Sequence, residues 1–316
     1  MQTDIMRRML RPLLSSRQFR DVIRFSESLQ YHDLDVWNLD KGNRTILQAL
    51  QSGMPQAIGK LGSTETQALR NYLRYRHAPD WQDKLRPYQH VLYTHSGVFP
   101  DNPETYLRFC EYMFADVLSQ ITVLGVWFNL QEASIVKAYA PNAKRIPIGA
   151  FETYGFTTNR WTALLAEKRV LVLHPFINTI RSQYKKRHQI WINQEDVLPS
   201  FELVQIAAPH YPALVAPQHA DWFSALEDMQ QQMAAVDFDV ALIGAGAYSL
   251  PLAMHAKRLG KIGLHLGGAL QLYFGITGGR WEANPVIQEL VNESWVRPLP
   301  EDTPANNVLI EGGCYW

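Results

Sequence analysis

From Ile121 onward the chain alternates short apolar runs with helix-patterned stretches, and this alternation constrains its fold more than any other feature. ITVLGVWF reads as a buried strand and RIPIGAF as a second, shorter one. WTALLAEK reads as helix, RVLVLHPF as strand, NTIRSQYKKR as helix and FELVQIAAP as strand. HADWFSALEDMQQQMAAVDF is a long amphipathic helix, after which DVALIGAG, SLPLAMHAKRLG and KIGLHLGG complete a strand–helix–strand unit. Apolar strands separated by helices predict a parallel sheet covered on both faces.

The expected fold class is therefore α/β: a Rossmann-like parallel sheet with helices on both faces, plus a helical N-terminal portion. Residues 1–120 read as the helical portion packed on the core, 121–295 as the Rossmann-like α/β portion and 296–316 as a C-terminal tail lying over the body. In the first portion, Ile46, Leu50 and Met54 recur at a helical interval, and TETQALRNYLRYR carries the same period. DNPETYLRFCEYMFADVLSQ predicts a helix capped by Asp101 or Asn102, with Pro103 in its first turn. Leu107, Cys110, Phe114 and Leu118 would share one face. The basic N-terminus, MQTDIMRRMLRPLLSSRQFR, has no signal-peptide apolar block and cleavage site. It predicts either a first helix packed through Met6, Leu10 and Leu13 or a peripheral contact with an anionic membrane.

The charges cancel, with 30 basic and 30 acidic residues, so no global field favours nucleic acid as a partner. Two cysteines, Cys110 and Cys314, are too few for a disulfide framework or a structural zinc site, which suits a reducing cytoplasm. No apolar run reaches transmembrane length.

Chemistry is expected where strands end in glycine. In ALIGAGAYSLPLAMHAKRLG, Gly244 and Gly246 permit a tight turn, Tyr248 follows, Ser249 can cap the next helix and Gly260 can end it. Amides at such a helix start favour a phosphate, although the turn can also be purely structural. A dinucleotide is disfavoured: Ser249 replaces the third glycine of the fingerprint, and no carboxylate stands about twenty residues on. GLHLGGALQLYFG brings His265, Gly267, Gly268 and Gln271 to a second strand end. Two neighbouring strands ending in glycine pairs suggest close approach of backbone to a ligand or to each other. FGITGGRW adds Arg280, and glycine-rich backbone beside an arginine suits a pyrophosphate. At a third strand end lies His174. Beyond it Asn178 or Thr179 would begin a helix with Arg181 in its first turn, where a cation opposes the helix dipole unless an anion sits nearby. IGKLGSTETQAL predicts a short strand over Ile58 to Leu61, a turn at Gly62 and a helix starting at Ser63 or Thr64. Its Glu65 could ligate a metal, act as a base or cap the helix.

KLGSTE before a helix, with the late LIGAGA…LAMHAKRLGKIGLHLGG unit, resembles the GT-D type of bacterial glycosyltransferases. HLGGALQLYFGITGGRW, NESWVRP and EGGCYW look like a group of bacterial proteins met near surface-polysaccharide genes. The resemblance implies a nucleotide-diphosphate sugar donor, a glycan or lipid-linked acceptor, and Mn²⁺ or Mg²⁺ bound through an Asp-x-Glu pair. The glutamate of that pair matches Glu65, its aspartate position holds Ser63, and Lys60 stands at the motif's arginine. A serine is the weaker ligand for a dication, so the departure puts metal dependence in doubt more than sugar-nucleotide binding. The implied activity is glycosyl transfer in surface-glycan assembly, in the cytoplasm or at its membrane surface. A non-catalytic nucleotide- or glycan-binding subunit is the alternative, and a nucleotide-dependent oxidoreductase the third reading.

Overall fold

The computed structural model describes residues 16–31, 34–210, 212 and 214–316. The N-terminal helix expected through Met6, Leu10 and Leu13 lies outside them. Seven strands form one all-parallel sheet: β1 (Gln56–Lys60), β2 (Val123–Val126), β3 (Lys144–Pro147), β4 (Arg169–His174), β5 (Glu202–Ala207), β6 (Val240–Ile243) and β7 (Ile262–His265). Their order is β3-β2-β1-β7-β6-β4-β5. The chain first builds outward from β1 to β3, then fills the other half of the sheet and returns with β7 beside β1. That pair is the switch point where ligands of open α/β sheets gather.

The longer helices are α1 (Ser16–Ser28), α2 (Leu39–Gln51), α3 (Ser63–Tyr75), α4 (Trp81–Ser96), α5 (Pro103–Tyr112), α6 (Glu132–Tyr139), α7 (Ile177–Tyr184), α8 (Trp222–Ala234) and α9 (Ser249–Arg258). Side chains alternate across the sheet with period two. Ala57, Leu124, Leu171, Leu173, Ala241 and Ile243 face a core shared with α3, α4, α5, α8 and α9. Ile58, Val123, Val170, Val172, Val240 and Leu242 face a second core, with α2, α7 and the aromatic residues of the C-terminal third. Each fully buried Leu or Val contributes about 1.5–3 kcal/mol, so strands buried on both faces anchor the sheet.

α9 lies directly on β1 and β7. A Cβ built on Gly263 would stand 2.5 Å from the Ala253 carbonyl oxygen, and one on Gly59 2.6 Å from Leu250 Cδ1. Glycine at these two strand positions lets the helix approach that closely and fixes the β6–α9 turn over the sheet centre.

Several local expectations are corrected. β1 belongs to the middle of the sheet although helices surround it in sequence. Met54 lies past the end of α2 and is exposed, so only Ile46 and Leu50 follow the buried period. Asn102 caps α5 through the Thr105 amide, but the helix passes into a π turn at Met113–Val117. Trp161–Leu165 is 3₁₀ rather than α, and only the first part of RIPIGAF is strand. Ser249 does not cap α9; it is the first helical residue, and its hydroxyl accepts the Ala245 amide.

The closing residues pack firmly against the body. Asp302 is buried and accepts hydrogen bonds from the Thr179 amide and hydroxyl and from Asn178, at the start of α7. Trp316 donates its indole N–H to the Asp302 carbonyl and meets Phe176 edge-on.

Candidate functional site

A cavity of about 150 Å³ opens at the carboxyl ends of six strands. Lys60 ends β1, Trp127 follows β2, His174 ends β4, His210 follows β5, Gly244 follows β6 and His265 ends β7. The backbone turns that form its floor touch one another. A Cβ on Gly244 would come 2.7 Å from both the Gly267 carbonyl oxygen and His174 Cδ2, so the two glycine turns are packed backbone to backbone. Gly246 and Gly267 have φ of 54° and 62°, the left-handed region that favours glycine.

Two cations reach the Gly267–Gly268 turn. A Cβ on Gly267 would lie 3.4 Å from Lys60 Nζ, and one on Gly268 3.8 Å from Arg280 Nη1. Lys60 is half-buried, with its ammonium 4.5 Å from the centroid of the Trp127 ring. It makes no hydrogen bond or ion pair among the described residues. Burial pushes its pKa down to about 8; Glu152 and Glu65 oppose the shift and Arg280 adds to it. Arg280 donates to the Tyr315 hydroxyl and approaches Glu311 at 3.8 Å.

Polar atoms without partners surround these cations. His265 Nδ1, His210 Nδ1, the Tyr248 hydroxyl and Gln271 Oε1 are buried and unpaired among the described residues, and all four side chains line the cavity. The Gln271 amide is fixed by donating to the carbonyls of Ile276, Thr277 and Tyr315, which leaves its oxygen as the free acceptor. Tyr248 is stacked on Trp222 at 4.9 Å. Burial drives the pKa of His174 and of His265 down to about 3, with His210 and Lys60 respectively adding to it, so both imidazoles are neutral. His174 Nδ1 accepts the Phe176 amide, so its proton sits on Nε2. A buried polar group costs about 1–3 kcal/mol when unpaired, and four such groups around one cavity mark it as a site for a polar ligand.

Gly62 caps α3 without a side chain, and Glu65 folds back over it: a Cβ on Gly62 would collide with Glu65 Oε2 at 1.9 Å. Burial raises the pKa of this carboxylate, although Ser96 and its own backbone amide favour the ionised form and lower it. Ser63, at the aspartate position of the expected pair, is exposed at the rim. A dication held by protein oxygens calls for several ligands, carboxylates foremost. One engaged carboxylate beside a hydroxyl and an ammonium suits it poorly, and among the described residues no three His, Cys, Asp or Glu side chains converge to hold an ion.

Lys60, Gly62, Ser63, Glu65, His174, Gly244, Gly246, Tyr248, Gly267, Gly268, Gln271 and Arg280 all line the cavity. Arg181 does not. α7 begins at Ile177, which puts Arg181 in the last turn, exposed and donating to Gln205 Oε1 at 3.0 Å. The dipole conflict expected of it does not arise. The sequence reading missed Ser96, Trp127, His210, Glu311 and Tyr315. Trp127 alone carried a usable signal, as the residue just past the carboxyl end of a buried strand.

Residues 43–273 match the family described as a GT-D fold-like domain. The chain belongs to the GT-D-like family. The matched span runs from α2 through β7 to Tyr273 and holds the whole sheet, so the parallel fold and a glycosyltransferase-related role follow for the chain. Arg280, Glu311, Tyr315 and Trp316 reach the cavity from beyond the GT-D-like span. Neither the curated proteins nor the solved structures contain a match to the chain.

Proposed function

We propose that the protein is a glycosyltransferase that moves a sugar from a nucleotide-diphosphate donor to an acceptor hydroxyl in surface-glycan assembly. The observation that carries this reading is the Lys60 ammonium, half-buried beside a glycine turn with no hydrogen bond or ion pair among the described residues, Glu152 and Glu65 acting on it only through space. A desolvated cation facing amide-rich backbone favours an anion, and a diphosphate supplies it. The unpaired atoms of Tyr248, Gln271, His210 and His265 suit hydroxyl-rich or heterocyclic groups.

In the reaction, the acceptor oxygen forms a bond to the anomeric carbon. The bond from that carbon to the β-phosphate oxygen breaks, and its electron pair stays with the departing diphosphate. The acceptor proton passes to the ionised carboxylate of Glu65, whose raised pKa makes it a stronger base than an exposed glutamate. Lys60 and Arg280 stabilise the charge that gathers on the leaving group. A lipid-linked glycan is the acceptor best matched to the α1 region, where exposed Phe25, and Leu29 just past the helix end, stand beside exposed Arg20 and Arg24.

Thermal shift against UDP, GDP, CMP and dTDP sugars tests donor binding, because a ligand of the native state raises the melting temperature. At least one sugar nucleotide is expected to do so and to be turned over, and Glu65→Gln is expected to bind it without turnover. No shift with any donor would overturn the reading. The engagement of Glu65 by its own amide and Ser96 favours a second reading, a nucleotide-binding subunit without transferase activity. Donor binding by the wild type with neither transfer nor hydrolysis would select it.

A further inference from the structure

We infer that this chain grips the donor diphosphate with two side-chain cations, Lys60 and Arg280, on either side of the Gly267–Gly268 turn, and binds it without a divalent ion. The inference rests on the nucleotide-sugar reading above and departs from the metal dependence that the family resemblance implies.

Three observations carry it. First, the cations converge. A Cβ built on Gly267 would lie 3.4 Å from Lys60 Nζ and one built on the adjacent Gly268 3.8 Å from Arg280 Nη1, so a diphosphate laid along this turn would meet both. Arg280 also suppresses proton binding at Lys60, which records their mutual repulsion across the turn. Convergent like charges in a part-buried site are costly until an anion arrives, and a diphosphate carries enough charge to offset both.

Second, each cation is held in place by groups that leave it free to bind. The Trp127 ring lies under the Lys60 ammonium and takes none of its hydrogen bonds. Arg280 is steadied by the Tyr315 hydroxyl and ring and by a long ion pair with Glu311 at 3.8 Å, which uses none of its hydrogen-bonding N–H groups.

Third, the acidic side of the motif is arranged for another task. The Glu65 carboxylate is turned back onto Gly62, its own amide and Ser96, and the neighbouring position offers only the Ser63 hydroxyl. A dication bound there would also face the Lys60 charge. As the bond from sugar to β-phosphate breaks, the electron pair left on the phosphate oxygen therefore meets an ammonium and a guanidinium, through charge-assisted hydrogen bonds.

Isothermal titration of the full chain with UDP, GDP, CDP and dTDP, first with excess EDTA and then with Mn²⁺ or Mg²⁺, tests this. The tightest nucleoside diphosphate is expected to bind with the same affinity, within about twofold, in all conditions. Lys60→Met and Arg280→Met are each expected to weaken it by about tenfold or more, the matching nucleoside monophosphate less, and Lys60→Arg to recover most of the loss. Circular dichroism and melting of each variant separate lost binding from lost folding. Binding that appears only with the metal ion overturns the inference and leaves the proposed function standing. Equal affinity in the wild type and both methionine variants overturns it as well. If no nucleoside diphosphate binds under any condition, the functional reading fails and the inference falls with it.

Discussion

Lys60 shows how one side chain couples burial to ligand recognition. Its ammonium titrates at about 8, among Glu152, Arg280, Glu65 and the neutral His265. A bound diphosphate favours the protonated form, so donor affinity is expected to fall above that pH, by roughly tenfold per pH unit for a single coupled proton. The stability contribution has the opposite sign. The unfolded chain holds the Lys60 proton up to about 10.5, so between the two values the unfolded state binds more protons and folding gains stability as pH rises. Titrations with a nucleoside diphosphate from pH 7 to 9 should show the fall in wild type and lose it in Lys60→Arg; a flat wild-type profile would refute the coupling. Lys60 was legible in the sequence through the resemblance alone, as the residue at the arginine position of the GT-D motif. Arg181 was misread because the helix starts one or two residues earlier than expected, at Ile177, and ends at Tyr184 rather than running on to Arg187, which puts the cation in the last turn. Glu311 and Tyr315 left no local signal, since they meet Arg280 only through the folded chain.

At the scale of elements, short continuous apolar runs made the strands readable, and the strand ends then located the site. The β4, β6 and β7 predictions hold because those strands are buried on both faces and bounded by turn residues. Segments such as Trp161–Leu165 and Met113–Val117 defeat pattern reading because 3₁₀ and π turns bury residues at intervals close to those of an α-helix. α1 is amphipathic yet leaves Phe25 at 64% exposure, and Leu29 just past its end at 65%, with Arg20 and Arg24 exposed before them. Apolar side chains beside arginines fit the interface of an anionic bilayer, where burial and charge attraction add. No helix among the described residues is long and apolar enough to cross a membrane, so contact through α1 would be peripheral. The full chain is expected to sediment with phosphatidylglycerol vesicles more than with phosphatidylcholine vesicles, and less after Phe25→Ser with Leu29→Ser. Equal sedimentation with both lipids, or no change in the double variant, would rule this contact out.

The whole molecule joins a GT-D-like sheet to a C-terminal segment that covers the edge of its cavity. Loop-like, aromatic composition made the last residues read as a tail lying over the body, and they do pack on it, although no periodic element marks where. Their attachment instead runs through single polar contacts that no pattern reveals. Asp302 receives three hydrogen bonds at the start of α7, Leu299 donates its amide to the Thr179 hydroxyl, and Trp316 is tied to the Asp302 carbonyl while lining the cavity. Asp302 therefore links the helix after β4 to the wall of the site. Asp302→Ala should leave the buried Thr179 amide and hydroxyl without that acceptor, at a cost of about 3 kcal/mol. Asp302→Asn retains one oxygen for them and should cost less. Urea midpoints read this directly, provided the slope is unchanged. Since Trp316, Tyr315 and Arg280 are joined through this segment, Asp302→Ala should also weaken nucleoside diphosphate binding under conditions where the protein is still folded. Unchanged midpoints and unchanged binding would mean that residues 296–316 are a dispensable tail. A lower midpoint with intact binding would make Asp302 a brace for α7 alone. Loss of both is the outcome that joins the segment to the site, because only then does a carboxylate buried outside the cavity lining act, through Trp316 and Tyr315, on Arg280 within it.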